Sequence, residues 1–419
     1  MIDSTDADQT TARLRADMQP AAALPLLRAA HARLTPYIRR TPTVYSYWLS
    51  ETTGLEVHLK LENLQRTGAF KIRGALNRVL QLTEAELRRG LIAASAGNHA
   101  QGLALAAKLA GGQATIVMPL STPILKVQRT EGFGARVVLH GESFDQAQAH
   151  MRELAARENS IIVPAFDDPD IILGQGTAGL EFLEDAPDLD AVVIPIGGGG
   201  LCAGMALAYK ALSPKTRIIG VQAAGAAPMV HSFQSGQPSP VADPRTIADG
   251  IRVGVVGQWT WELVRRHVDE CITVEEDEIV DAVLQTIEKS KVVAEAAGVP
   301  GIAAILAGKI QGAKKIGTIV SGGNIDLHLM ARIIENGLER AGRTHVLRLR
   351  TPDLPGQLKR IVEVLAEQGS NIVDVQHYRA GWRVPLGFVD IDVLIETRKR
   401  GEGELVERAL QARGITLRT

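Results

Sequence analysis

Cysteine is almost missing from the chain: only Cys202 and Cys271 occur in 419 residues. Two thiols give no disulfide framework and no metal-ligand spacing, and read as free thiols they fit a reducing compartment, with the cytoplasm as the default. An excess of either charge is missing too. Lys and Arg number 46 against 47 Asp and Glu, a formal net charge of −1, so no basic field exists to hold nucleic acid or an anionic membrane surface. No stretch runs about eighteen apolar residues without a charge or His, and the opening MIDSTDADQTTARLRADMQP has no apolar segment of a signal peptide. The expectation is a chain that is neither secreted nor membrane-spanning. Aromatics are scarce at 4%, while 45% of residues are apolar and 22% charged, the profile of an α/β enzyme rather than of a disordered or fibrous chain. Glycine, with 41 residues, is the outlier, and it falls in clusters.

A chain of this length exceeds one ordinary core, and two to three domains are expected. Residues 1–20 are polar and mixed in charge, in expectation a flexible tail. From Thr43 strand-like and helix-like stretches alternate: VHLKLENL, KIRGALNRVLQL, LIAAS, HAQGLALAAKLA, then ATIVMP, ARVVLHG, AVVIPI, TRIIGVQ and GTIVS with amphipathic helices between them. That alternation predicts parallel sheets with right-handed crossovers over residues 21–340, with a smaller αβ unit at about 95–165. ENGLERAGR reads as a polar connector. Residues 344–419 then run strand, helix, two strands, helix, strand, the ferredoxin-like order βαββαβ of a separate small domain.

Chemistry concentrates in the turns that follow strands. In TGAFKIRGA (Thr67 to Ala75), Lys71 stands between Phe70 and Ile72, and its nearest acids in sequence are Glu62 and Glu84, so no local ion pair is on offer. At the start of a helix the positive dipole end favours the neutral amine, as a nucleophile requires. Taken alone, a lysine in such a context is far more often a solvated surface residue, and the neighbouring turns must decide. SAGN at 95–98 opens a helix and aims backbone N–H groups at an anion, with Asn98 adding an amide or serving only as N-cap. GGGGL at 197–201 opens another, and successive unobstructed N–H groups suit a phosphate dianion. Gly198, Gly200 and Ala203 also satisfy a loose dinucleotide pattern, but the next strand ends at Gln222, where a ribose-binding acid is wanted. SGGN at 321–324 puts Ser321 at the end of GTIV. Amine, anion site, phosphate cradle and hydroxyl, expected on the same edge of one sheet, ask for a cofactor with an aldehyde and a phosphate.

Through TGAFKIRGA, SAGNHAQG, GQGT, GGGGL, ADGI and SGGN, over about residues 25–335, the chain resembles the threonine/serine ammonia-lyase (threonine dehydratase) family. These are fold-type II pyridoxal-phosphate enzymes, α/β proteins with two tryptophan synthase β-like parallel-sheet domains. DLPGQL at 353–358 and NIVD at 371–374 make the terminal βαββαβ unit resemble an ACT domain, a module that binds regulatory amino acids. The resemblance implies that Lys71 binds the aldehyde of pyridoxal 5'-phosphate and later serves as base on the substrate's α-proton. Phe70 would stack near the pyridine ring, Asn98 would bond its 3-hydroxyl, Ser321 would face its nitrogen, and Glu295 would lie beside it. Gly197, Gly198, Gly199, Gly200 and Leu201 would hold the phosphate, and Ser95, Ala96, Gly97 and Asn98 the substrate carboxylate. The implied reaction takes L-threonine to 2-oxobutanoate and ammonia, with L-serine to pyruvate a poorer one, in isoleucine biosynthesis or in catabolism. The implied assembly is a homo-oligomer, dimer or tetramer. Isoleucine or valine would act as effector at Asp353, Leu354, Pro355, Gly356 and Asn371, at a subunit interface, the alternative being a unit that serves oligomerisation alone.

Departures from the family pattern carry information. Ala69 replaces the usual serine before Phe70. Ala96 removes the second acid/base hydroxyl of serine racemases, and VQAAGAAPM lacks the acidic pair with which racemases hold a divalent metal, so no metal site is expected. Arg252, in ADGIRVG, occupies a place often held by a small side chain and keeps open a substrate with a second carboxylate, such as 3-hydroxyaspartate. An amino-acid sensor with a retired lyase domain is the non-enzyme alternative, against which the intact Lys71 argues.

Overall fold

The computed structural model describes residues 18–379 and 384–418, so that most of the expected flexible tail lies outside the described residues; the described residues form two compact units that divide between Ile325 and Asp326. The strands of the first unit are β1 (Thr43–Tyr45), β2 (Glu56–Leu61), β3 (Leu91–Ala94), β4 (Ala114–Met118), β5 (Arg136–Leu139), β6 (Ile161–Ile162), β7 (Ala191–Pro195), β8 (Arg217–Ala223), β9 (Glu270–Val274) and β10 (Lys315–Val320). They build a six-stranded sheet of order β1-β2-β10-β7-β8-β9, parallel except at β1. The second sheet, β5-β4-β3-β6, is parallel throughout. Every residue of β7 is buried, as an apolar run covered by helices on both faces must be.

Each sheet has its own apolar core. Phe182 and Leu183 of the helix Pro169–Asp185, with Met205 and Tyr209 of the helix Gly200–Leu212, pack with Val192 and Ile194 of the large sheet. Ile72, Leu76 and Val79 of the helix Lys71–Val79 pack instead with Leu91, Leu103 and Ile116 around the small sheet. Glycine lets the first two helices cross closely. A Cβ on Gly176 would lie 2.6 Å from the Gly204 carbonyl oxygen, and one on Gly204 would lie 2.3 Å from that of Ile172, distances that no side chain accepts.

Three expectations change. The four turns do not share one sheet: those after β2, β7 and β10 stand on the large sheet, but SAGN follows β3 of the small one. Apolar periodicity identifies a strand without saying which sheet it joins. The small αβ unit therefore takes in Leu91 to Ala94, earlier than the expected boundary near 95. The stretch read as a polar connector belongs mostly to a helix, Leu327–Arg340, which buries Ile333 and Gly337. Asp326 caps it, accepting from the N–H groups of His328 and Leu329 at 2.9 and 3.1 Å, and one buried stripe suffices for so polar a helix.

In the second unit β11 (Thr344–Pro352), β12 (Ile372–Tyr378), β13 (Phe388–Glu396) and β14 (Thr416–Leu417) form an antiparallel sheet of order β12-β13-β11-β14. The helices Gln357–Glu367 and Glu402–Ala412 lay Ile361, Leu365, Val406 and Leu410 against Leu347, Leu349, Ile391 and Val393. This is the βαββαβ order read from the sequence.

Candidate active site

Lys71 is the first residue of its helix, and the loop before it is zipped to SGGN. Phe70 N–H donates to the Ser321 carbonyl at 3.1 Å, Gly323 N–H donates to that of Gly68 at 2.8 Å, and Ala69 pairs antiparallel with Gly322. The Asn324 amide donates to the Thr67 carbonyl at 2.6 Å and to Asn98 Oδ1 at 2.8 Å. Gly68 has φ +72°, and a Cβ there would lie 2.5 Å from Asn324 Oδ1, so only glycine serves. Lys71 Nζ donates to the Ala165 carbonyl at 2.8 Å, lies 5.3 Å from the centroid of the Phe70 ring, and makes no ion pair among the described residues. Burial lowers the amine to about 8, with the Glu295 charge working the other way. Desolvation is thus the leading cause, a contribution that the sequence does not reveal.

Asn98 is not an N-cap. Gly97 holds that position without a side-chain bond, and the Asn98 amide turns to Glu295, donating to Oε1 at 2.6 Å. Glu295 is 5% exposed. Burial, then the charge of Asp249, lifts its carboxyl to about 7, against the Asn98 bond and the Lys126 and Lys71 charges. Lys126 and Asp249 are themselves ion-paired. A Cβ on Gly322 would lie 2.1 Å from Glu295 Oε1, which explains a glycine of SGGN. A group raised on folding stabilises fully below its unfolded value, and the contribution is lost as pH rises through the folded one. Glu295→Gln is therefore expected to flatten the pH dependence: from 4.5 to about 7 the wild type should lose about 3 kcal/mol relative to the variant. Denaturant unfolding of the cofactor-free protein across that range checks it.

His99, which lies in SAGNHAQG but is given no role by the sequence, is buried beside this cluster. Its Nε2–H donates to the Val163 carbonyl at 2.9 Å, and burial with the Lys71 charge lowers it to about 4, so the ring is neutral at physiological pH. Ser95 Oγ accepts from Gly97 N–H at 3.3 Å, and Ser95, Ala96, Gly97 and Asn98 are all part-buried. Ser321 is 4% exposed and its hydroxyl donates to the Ala297 carbonyl at 3.2 Å. Arg252 is exposed, just after the turn Asp249–Ile251.

Gly197 to Leu201 wrap the N-terminus of the helix Gly200–Leu212, with Gly199 as cap at φ +98°. A Cβ on Gly198 would lie 2.4 Å from the Phe166 ring. Among the described residues no protein acceptor meets the N–H groups of Gly197 to Leu201, although Gly198 to Leu201 are buried. Buried donors require a partner, and a phosphate dianion at a helix N-terminus supplies one. The cradle fits pyridoxal phosphate. Gln222, noticed in the sequence only for not being an acid, braces the loop: it accepts from Met229 and Val230 N–H at 2.8 and 3.0 Å and donates to the Gly197 carbonyl at 3.3 Å.

The proposed effector residues do not converge within one copy. Asp353 N–H bonds the Gly387 carbonyl at 2.9 Å, just before β13, whereas the Asn371 amide bonds Glu396 at 2.8 Å, at its far end. At about 3.3 Å per residue the two places lie roughly 30 Å apart, so a single pocket of one chain cannot use both.

The site and fold define a pyridoxal-phosphate-dependent enzyme, and the family profile described as "Pyridoxal-phosphate dependent enzyme" matches residues 34–322. The L-threonine ammonia-lyase of Thermotoga maritima is 44% identical over 392 residues, covering 94% of this chain and 98% of its own. The processed form of threonine deaminase isoform 2 from Solanum lycopersicum superposes with TM-score 0.70 at 36% identity, covering 74% of this chain and 93% of that one. Maize serine racemase gives TM-score 0.71 at 37% identity, covering 75% and 97%. The chain belongs to the threonine ammonia-lyase (threonine dehydratase) family of pyridoxal-phosphate enzymes.

Proposed function

We propose that the protein converts L-threonine to 2-oxobutanoate and ammonia, and L-serine more slowly to pyruvate. The observation that carries this is the half-buried amine of Lys71, with no ion pair among the described residues, together with the N–H groups of Gly197 to Leu201 that no described protein acceptor meets; the names of the relatives support the choice of substrate. Pyridoxal phosphate, when bound, supplies the aldehyde and the electron sink for loss of the α-proton and the β-hydroxyl. Lys71 takes the α-proton on Nζ, which near-neutral titration suits. Ser95 to Asn98 receive the substrate carboxylate on backbone N–H groups at a helix start. Phe70 would lie against the cofactor ring, the Asn98 amide, bonded to Glu295, would meet its hydroxyl, and Ser321 would face the ring nitrogen. A hydroxyl cannot protonate that nitrogen as a buried carboxylic acid would, and Ala96 has no proton to return from the opposite face, so elimination is favoured over racemisation. The water lost in elimination is restored by hydrolysis of the amino product. An assay for 2-oxo acids across L-threonine, L-serine and 3-hydroxyaspartate tests the reading. Threonine should be turned over fastest, and a preference for 3-hydroxyaspartate would shift the assignment to that substrate.

The second unit is assigned as an ACT domain that carries isoleucine or valine and helps to build a homo-oligomer of this cytoplasmic enzyme. β12 supports this: it is an edge strand on which Val373, Val375 and Tyr378 are 53%, 37% and 40% exposed, an edge of the kind that another strand covers. The separation of Asp353 from Asn371 fits effector sites completed by a second copy. Removing residues 344–419 is expected to leave turnover in place and abolish the response to isoleucine or valine; a response that survives would move the effector site into the catalytic unit.

A further inference from the structure

Lys60, Glu62, Arg73 and Glu181 are each at most 1% exposed, and the deamination chemistry uses none of them. Arg73 stands two residues from Lys71 on the same helix. Its Nε and Nη2 donate to Glu62 at 2.8 and 2.7 Å, its Nη1 and Nη2 to Glu181 at 2.8 Å each, and its Nη1 also to Thr177 Oγ1 at 3.1 Å. All five guanidinium N–H groups are thereby engaged. Lys60 Nζ donates to Glu181 Oε2 and to the Thr41 carbonyl, both at 2.7 Å, and Thr41 Oγ1 donates to Glu62 Oε1 at 2.5 Å. Two cations and two carboxylates make the quartet neutral.

Its location joins two bodies. Lys60 lies on β2 and Glu62 directly after it, and Glu181 sits on the helix Pro169–Asp185 of the large-sheet core. Arg73 belongs to a helix whose apolar residues Ile72, Ala75, Leu76 and Val79 pack in the small-sheet core. By apolar packing the Lys71 helix goes with the small sheet; by Arg73 at its first turn, and further along by Gly74 N–H donating to Gln175 Oε1 at 3.2 Å and the Asn77 amide to the Asp170 carbonyl at 2.7 Å, it is fastened to the helix Pro169–Asp185 and so to the large sheet, which also carries Gly197 to Leu201 and Ser321. The SGGN ribbon fastens the preceding loop to the same body. Stability alone is a weak reason for such a cluster, because well-packed apolar residues often replace buried ion networks without loss. A guanidinium gripping two carboxylates in fixed directions offers geometry.

We propose that Arg73 is a positioning residue: its fork clamps the first turn of the Lys71 helix to the large sheet and so sets the distance from the Lys71 amine to the N–H groups of Gly197 to Leu201, an inference that rests on reading that loop as the phosphate cradle. A correctly spaced amine and cradle make the phosphate enhance capture of the aldehyde. The preference of the cofactor-free protein for pyridoxal 5'-phosphate over pyridoxal, each followed by the absorbance of the lysine-bound aldehyde, measures that spacing apart from turnover.

The experiment compares wild type, Arg73→Lys, and a neutral variant carrying Lys60→Met, Glu62→Gln, Arg73→Met and Glu181→Gln together. The preference should fall at least about tenfold in the neutral variant and about threefold in Arg73→Lys, as expected of a sub-ångström misplacement, while affinity for pyridoxal stays within about threefold. An unchanged preference in the folded variants overturns the proposal, and if the neutral variant does not fold, Arg73→Lys decides alone. Gly198→Ala, whose Cβ would meet the Phe166 ring, separates the two readings. If it leaves the preference unchanged, the cradle assignment fails and the proposal with it. If it lowers the preference while the Arg73 variants do not, only the positioning role is overturned.

Discussion

Lys71→Ala is expected to abolish the yellow absorbance of the bound cofactor and to reduce deamination by at least about four orders of magnitude, since one residue supplies both the covalent attachment and the general base. Phosphate binding should persist, because the N–H groups of Gly197 to Leu201 owe nothing to the amine. The cofactor would then bind and wash out on dialysis. Retained turnover would sink the central assignment. Stability should move the opposite way. The folded protein holds the amine at about 8, below its ordinary 10.5, so the folded state binds fewer protons, and below pH 8 the wild type carries the full penalty. Removing the amine should stabilise the cofactor-free protein by up to about 3 kcal/mol at neutral pH, less the lost contacts, and the gain should fade as pH rises through 8 toward 10.5. A destabilised Lys71→Ala at pH 7 would mean that the amine is not held against its charge.

Much of this site was legible because its parts are local. A lysine just inside a helix, a run of glycines after an apolar strand and a serine at a strand end are each written in a few consecutive residues, and so is the βαββαβ order of the second unit. What joins them is not local. Nothing in LIAASAGN tells that β3 leaves the sheet holding the other turns, and nothing in VVAEAAG tells that Glu295 meets Asn98, 197 positions away. Glu62 illustrates the limit best. In the sequence it is the nearest acid to Lys71, whereas in the fold it is bound by Arg73, and this engagement helps leave the Lys71 amine unpaired. Lys60 and Arg73 look like ordinary surface charges in strand and helix, and only Glu181, 121 and 108 positions on, makes them interior. Arg73 in KIRGA thus belongs with Lys71 in function as well as in sequence.

Glu62→Ala is the second large effect. It leaves Arg73 and Lys60 sharing one buried carboxylate and gives the quartet a net positive charge without water to solvate it, at an expected cost of about 3–5 kcal/mol. The corresponding deletion at the exposed pair of Arg40 and Glu184, whose side chains are 48% and 61% exposed, should cost no more than about 1 kcal/mol. Urea unfolding distinguishes them as a lowered midpoint at unchanged slope. Burial pushes the Glu181 carboxyl up, but the Arg73 and Lys60 charges outweigh it and hold it below 4.5, so its contribution is present above that pH and lost as pH falls through the folded value. Glu62→Ala should therefore unfold first in acid, where protonation of Glu181 removes the remaining carboxylate bonded to Arg73 and leaves Lys60 only the carboxylate of Asp185, at 3.8 Å. Adding Arg73→Met to Glu62→Gln removes one charge of each sign and leaves Lys60 paired with Glu181. That double variant should recover stability to within about 1 kcal/mol of wild type while its preference for the phosphorylated aldehyde stays low, because neutrality is restored and the clamp on the Lys71 helix is not.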